Sequence, residues 1–225
     1  MLHHIRAFFG PRAPRGALRA DPGRFLAPTA VLGLAALCLL TSIFLPMWSM
    51  KLLAPQYPKG LTVTAYADRL TGDVDEIDGL NHYIGMRPLH EAAQLEREIA
   101  VASIVSLALL CASAVVVHTH WAALLALPAF TFPFVFLADL AYWLRDSGQN
   151  LDPTAPLSSS VKPFVPPVLG EGLVGQFKTI AWVEAGFWLQ VTASALIVAG
   201  LYLHRRAYKP LVDARRAEEV AGAAT

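Results

Sequence analysis

The chain has 225 residues, 55% of them hydrophobic and 16% charged, with a formal net charge of +1. A water-soluble domain carries roughly 45–50% apolar and ~25% charged residues, so this composition, with a mean hydropathy of +0.47, reads as an integral membrane protein. The near-neutral charge gives nucleic-acid binding no support, and the two cysteines, Cys38 and Cys111, each inside an apolar run, exclude a disulfide framework or a CxxC centre.

Residues 1–24 hold Arg6, Arg12, Arg15, Arg19 and Arg24 against Asp21 alone, with too much Gly and Pro for a stable helix, and read as a cytoplasmic tail beside anionic lipid. The apolar run from Phe25 to Trp48 is longer than the ~7–15 residues of a signal-peptide core and lacks a small-x-small cleavage site. It is therefore expected as a retained first span within 25–50, with Pro28 in its first turn and Pro46 at its outer end. The segment 51–98 is the longest polar interruption and is expected outside the membrane. Leu61, Val63 and Ala65 alternate within LTVTAY, which predicts a small β-hairpin turning at Thr71-Gly72-Asp73 and returning through Val74 and Ile77. An isolated hairpin is marginal, so it is expected to pack on the second outer loop.

Pro88 and the acidic Glu91, Glu96 and Glu98 suit the start of a helix, which then enters the membrane over 99–117, a stretch without a charge. Residues 118–120 form a tight inner turn, and a third span covers 121–144, with Pro128 and Pro133 inside it. Five prolines in 145–178 argue against helix and central strand, so an ordered, extended cover is expected there. A fourth span follows over 179–203, closed by His204-Arg205-Arg206, and 204–225 forms a second cytoplasmic tail. The inner pieces hold ten Lys/Arg and four Asp/Glu, the outer loops eight and eleven, which fits the positive-inside rule with both termini in the cytoplasm. Trp48, Trp143 and Trp182 fall at the outer interface and Trp121 at the inner one. The expected fold class is thus an all-α transmembrane four-helix bundle with two extracytoplasmic loops, the first carrying a small β-hairpin.

Sulfur and imidazole are the ligands that monovalent copper selects, and they concentrate in one region. Met47 and Met50 would share a face if helix one extended through them, and His82, Met86 and His90 recur every four residues, although Gly85 and Pro88 interrupt any helix there. These five are the candidate ligands for Cu⁺, with packing as the competing role. Asp139 and Glu184 are the only carboxylates within spans, candidates for a proton or cation path or for pairing with a nearby base. Asp73 to Gly79 resembles the start of a calcium loop, but Ile77 and Ile84 occupy ligand positions, so a solvated acidic turn is the better reading. His3, His4, His118, His120 and His204 raise the question of haem b, yet His118 and His120 sit two apart on a turn instead of facing each other in a bundle. There is no CxxCH for a covalent haem, and no nucleophile constellation, phosphate loop or HExxH, so hydrolytic or phosphoryl chemistry has no visible support.

The strings APQYPKGL (54–61), LTGDVDEIDGLNHYIGM (70–86), LDPTAPLSSSVKPFVPPVLG (151–170) and GQFKT (175–179) together resemble a family of four-helix bacterial membrane proteins associated with gene clusters for nitrous oxide reductase and the maturation of its copper sites. Pro55, Tyr57, Gly72, Asn81, His82, Gly85, Met86, Asp152 and Pro163 are among the positions that carry it, over about residues 40–190. The resemblance implies an accessory protein of the bacterial inner membrane that serves a periplasmic copper enzyme, by handling metal or by docking maturation or electron-transfer partners. The alternative is a small subunit of a membrane redox or transport complex, with Asp139 and Glu184 passing protons or a cation.

Overall fold

A computed structural model describes residues 8–174 and 177–223. His3, His4 and Arg6 therefore lie outside the described residues, as do Gly175 and Gln176 of the GQFKT string and the last two residues of the second tail. The chain is mostly helical: α1 (Arg15–Ala20), α2 (Pro22–Ser42), α3 (Val74–Ile84), α4 (Gln94–Ser113), α5 (Trp121–Gln149) and α6 (Ala185–Ala223), with strands β1 (Trp48–Ala54), β2 (Tyr57–Ala65), β3 (Leu70–Gly72), β4 (Gly170–Val174) and β5 (Phe177–Val183). Among the described residues three helices, α2, α5 and α6, are long and apolar enough to cross a membrane. Helix α4 falls short of that standard because Glu96, Arg97 and Glu98 occupy its first turns.

The chain forms two compact units, one built from residues 1–40, 104–132 and 190–225, the other from 41–103 and 133–189. In the first unit Leu32, Leu39, Ile104 and Ile197 are buried together with many small residues, and several leucines face outward. Ala35, Ala108, Cys111, Ala126, Ala129 and Ala193 are fully buried, while Leu34, Leu37, Leu109, Leu124 and Leu127 are exposed. Small residues let helices approach closely where lipid surrounds them and no hydrophobic drive holds them together. Gly200 shows the closeness: a Cβ there would lie 2.8 Å from Leu32 Cδ2. The Cys111 thiol lies 3.7 Å from the Leu32 carbonyl and the Ser194 hydroxyl donates to the Phe130 carbonyl at 2.9 Å, so polar side chains are spent on neighbouring backbone.

Helix α2 begins before the expected Phe25. The Asp21 carboxylate accepts from the Arg24 amide at 3.1 Å, and Pro22 takes the first helical position, which needs no donor. Helix α6 likewise runs past the expected stop at Leu203. Pro210 inside it lacks the amide that would serve the Arg206 carbonyl, and the Arg24 guanidinium donates to that carbonyl instead, at 3.2 Å.

The second unit is built on a five-stranded antiparallel sheet of order β3-β2-β1-β5-β4. Helix α2 ends at Ser42 and Trp48 belongs to β1, because Pro46 cannot continue a helical ladder and the residues after it alternate. Trp48, Met50 and Leu52 pair with Ala65, Val63 and Leu61 on one side and with Val183, Ala181 and Thr179 on the other. These rows form one buried face, which packs on Ile77 and on Phe136, Leu140 and Leu144 of α5. Trp48 is thus a core residue whose indole donates to the Val168 carbonyl at 2.6 Å, a correction to its expected place in an interfacial belt.

The hairpin strand through Leu61, Val63 and Ala65 forms as expected, but its return does not run through Val74 and Ile77. It is confined to β3, and Val74–Ile84 is helix α3, burying Ile77, Asn81 and Ile84 at helical spacing. Gly72, at φ +96°, permits the turn between them, since a Cβ there would lie 2.1 Å from the Thr62 carbonyl oxygen. Likewise 179–183 is strand β5, next to β1, where a helix was expected. The Pro-rich segment before β4 is an ordered cover: the Asp152 amide donates to Gly85, that of Leu157 to Tyr83 and that of Phe164 to Gly148.

If Gly200 fits because it lacks a side chain, Gly200→Leu should lower the melting temperature of the detergent-solubilised protein, with a cost of about 1–3 kcal/mol for overpacking. Gly33→Leu, where nothing lies within 4 Å, should leave melting unchanged in the same assay.

Candidate functional site

The five sulfur and imidazole candidates occupy separate environments. Met47 is buried just ahead of β1, its amide bonded to the Ala65 carbonyl and its carbonyl to the Glu184 amide. Met50 is in the sheet core, so the pair shares no helical face. Met86 is buried with Ile84 against Leu151, Val161 and Phe164. His82 is exposed on α3 beside Tyr83, and the exposed His90 bonds through Nδ1 to Asp78 at 2.9 Å. All three methionines are buried, Met50 in the sheet core and Met86 against the Pro-rich segment, while both histidines are exposed. Among the described residues, no three of His, Cys, Asp and Glu are placed to hold a metal ion.

The acidic turn at 73–79 has structural work. Asp73 precedes α3 and accepts from the Thr62 amide at 2.7 Å, joining strand to helix. Asp75 and Glu76 lie in the first turn of α3, where its dipole favours negative charge. Asp78 accepts from the Leu89 amide at 2.6 Å as well as meeting His90. That capture, with Ala93 at φ 51°, delays α4 until Gln94 instead of the expected start at Pro88.

Glu184 stands at the joint between β5 and α6, not a turn inside a helix. One carboxylate oxygen accepts from the Ser49 hydroxyl at 2.8 Å and from the Trp182 indole at 2.7 Å, and the hydroxyls of Ser49 and Thr64 are 3.0 Å apart. The carboxylate also sits where the amino end of α6 favours negative charge. Trp182, expected as a belt residue, is tied into this group. Asp139 remains half-buried on α5, one turn before Trp143.

In the first unit, His118 and His204, 86 positions apart in sequence, face each other. His118 Nδ1 lies 3.2 Å from His204 Nε2, so one ring donates and the other accepts. The His118 ring also stacks on Tyr208, with centroids 3.8 Å apart and planes within 4°. The two imidazoles spend a nitrogen each on one another, and their centroids, 5.3 Å apart, leave no gap for a porphyrin. The segment before α1 closes over the turn, since the His118 amide donates to the Phe9 carbonyl and the Thr119 hydroxyl to that of Phe8. Sequence reasoning noticed both histidines but had no local spacing by which to pair them.

Burial, then the nearby His204, lowers the His118 pKa from 6.5 to about 4. The neutral imidazole is therefore the folded form. The unfolded chain binds the extra proton first as pH falls, so this contribution to stability is complete above about pH 6.5 and is lost as pH drops towards 4. Melting temperature in detergent should fall over that window, and His118→Phe, which keeps a ring on Tyr208, should be less stable at pH 8 but show a shallower fall. An equal slope in both proteins would assign the pH dependence elsewhere.

Comparison with known protein families, with characterised proteins and with solved structures finds no match to the chain.

Proposed function

We propose that the chain is a non-enzymatic membrane accessory protein that anchors a rigid sheet domain on the outer face of the bacterial inner membrane as a docking surface for a protein partner. The observation that carries this reading is the sheet itself. The two longest polar segments, far apart in sequence, merge into one five-stranded sheet with its own core. Apolar helices lead directly into and out of it.

Four spans are proposed, with α4 as the fourth. Its charges are confined to the first turns, it buries Ile104, Ala108 and Cys111, and it exposes Val105 and Leu109, the mixture of buried small residues and outward-facing aliphatic ones seen on the other long helices. The uneven distribution of Lys and Arg supports placing both termini in the cytoplasm. Docking is favoured over copper handling because Met47, Met50 and Met86 are all buried, Met50 and Met86 in different hydrophobic clusters. Within the sheet domain β4 is an edge strand, flanked by exposed Leu169 and carrying exposed Leu173. Such an edge offers backbone hydrogen bonds to an extended partner segment. The partner class, a periplasmic copper enzyme such as nitrous oxide reductase, rests on the sequence resemblance alone.

The test uses intact cells. In a background without native cysteines, Lys59→Cys and Ser159→Cys should react with an impermeant maleimide, whereas Arg15→Cys and Glu218→Cys should react only after permeabilisation. A photo-crosslinking residue at Leu173 should give a discrete protein adduct, and one at Leu34 lipid adducts alone. Reversed labelling would overturn the topology, and the absence of any protein adduct from Leu173 would overturn the docking reading.

A further inference from the structure

The turn before α5, the amino end of that helix and one side of α6 enclose an open cavity of about 400 Å³. Arg205, Lys209 and Arg216 line it. Separations of four and eleven residues are close to whole turns at 3.6 residues each, so the three cations project from one side of α6. All three are exposed, and among the described residues none of them is in an ion pair. His120 and Thr119 add polar atoms from the turn, and one carboxylate, Asp213, opposes the cations. The positive end of the α5 dipole adds to the same potential.

Apart from the imidazoles of His118 and His204, the rest of the lining is mostly apolar. Leu201 and Tyr202 continue the wall along α6, and Tyr202 and Trp121 are 64% and 40% exposed. Aromatic rings so exposed suit the level of lipid headgroups. The cavity therefore combines a cationic wall with an aliphatic and aromatic wall at Leu201 and the exposed Tyr202.

We infer that this cavity binds the phosphate of an anionic phospholipid headgroup. A phosphate dianion or diester matches a wall with an excess of two positive charges over Asp213, and basic pockets beside spans are suited to such headgroups. A free phosphate would satisfy the cations but make no use of Leu201 and Tyr202. A phosphocholine headgroup would bring its own quaternary cation against Arg205 and Lys209. The inference rests on the reading of α5 and α6 as membrane spans.

Native mass spectrometry of the full chain in detergent, titrated with phosphatidylglycerol or phosphatidylcholine, tests it. Wild type should retain phosphatidylglycerol in preference to phosphatidylcholine. Lys209→Gln with Arg216→Gln should weaken that retention by on the order of fivefold for each cation. Asp213→Asn should strengthen it, a gain that misfolding cannot produce. Equal retention of the two lipids, or retention unchanged by all three substitutions, would overturn the site. Displacement of phosphatidylglycerol by inorganic phosphate at matched concentration would overturn the lipid assignment in favour of a free-phosphate site. Vesicle flotation separates the two levels: a chain that floats with neither lipid defeats the spanning reading, whereas one that floats with both but prefers neither defeats only the site.

Discussion

The structure of the polar half of this protein depends on the pairing of β1 with two partners. A strand emerging from an apolar helix carries backbone donors and acceptors on both edges, and leaving them buried and unpaired is costly. β1 satisfies one edge with β2, its neighbour in sequence, and the other with β5, about 130 positions later. β1 follows closely on α2 in the chain and β5 leads into α6, so that pairing joins the segment after one helix to the segment before the other. Gly186 marks the tightness of the joint. Its amide donates to the Pro46 carbonyl at 2.7 Å, and a Cβ there would lie 2.7 Å from the same oxygen. Glu184 locks the joint from the side by holding Ser49 of one strand and Trp182 of the other.

This arrangement gives structural contacts to residues that look chemical in the sequence. A carboxylate in an apolar stretch is costly unless bonded, and Glu184 gains two donors and a helix amino end. Of the acidic residues of 73–79, Asp73 ties the start of the helix to β2 and Asp78 holds the segment that follows it. The methionines fill the irregular spaces between sheet, helix and Pro-rich cover, a use to which a flexible thioether is suited. What remains open to other molecules is the surface: the edge strand with Leu173 in one unit and the cationic cavity in the other.

Hydropathy made the long helices legible, and period-two alternation made the strand through Leu61, Val63 and Ala65 legible. Where apolar runs continued across a change of structure, the boundaries were lost. Thr179 to Val183 reads as the start of a span because its neighbours on both sides are apolar, although its alternation, with Thr179 and Ala181 buried, is that of a strand. The helix at Val74–Ile84 was hidden behind an expected hairpin return, while its own signals, acids in the first turn and Ile77, Asn81 and Ile84 at helical spacing, were present. Pairs such as His118 with His204, or Arg24 with the carbonyl freed by Pro210, join residues whose separation carries no local pattern. Only the packing of the helices reveals them.

The account stands most directly on the β1–β5 register. In a protein without native cysteines, Lys51→Cys and Ile180→Cys lie directly opposite each other and should form an intramolecular disulfide on mild oxidation in native membranes. Lys51→Cys with Val174→Cys should cross-link poorly. Failure of the first pair to cross-link, or equal yields from the two, would mean that the polar segments do not share a sheet, and the docking surface built on that sheet would be lost.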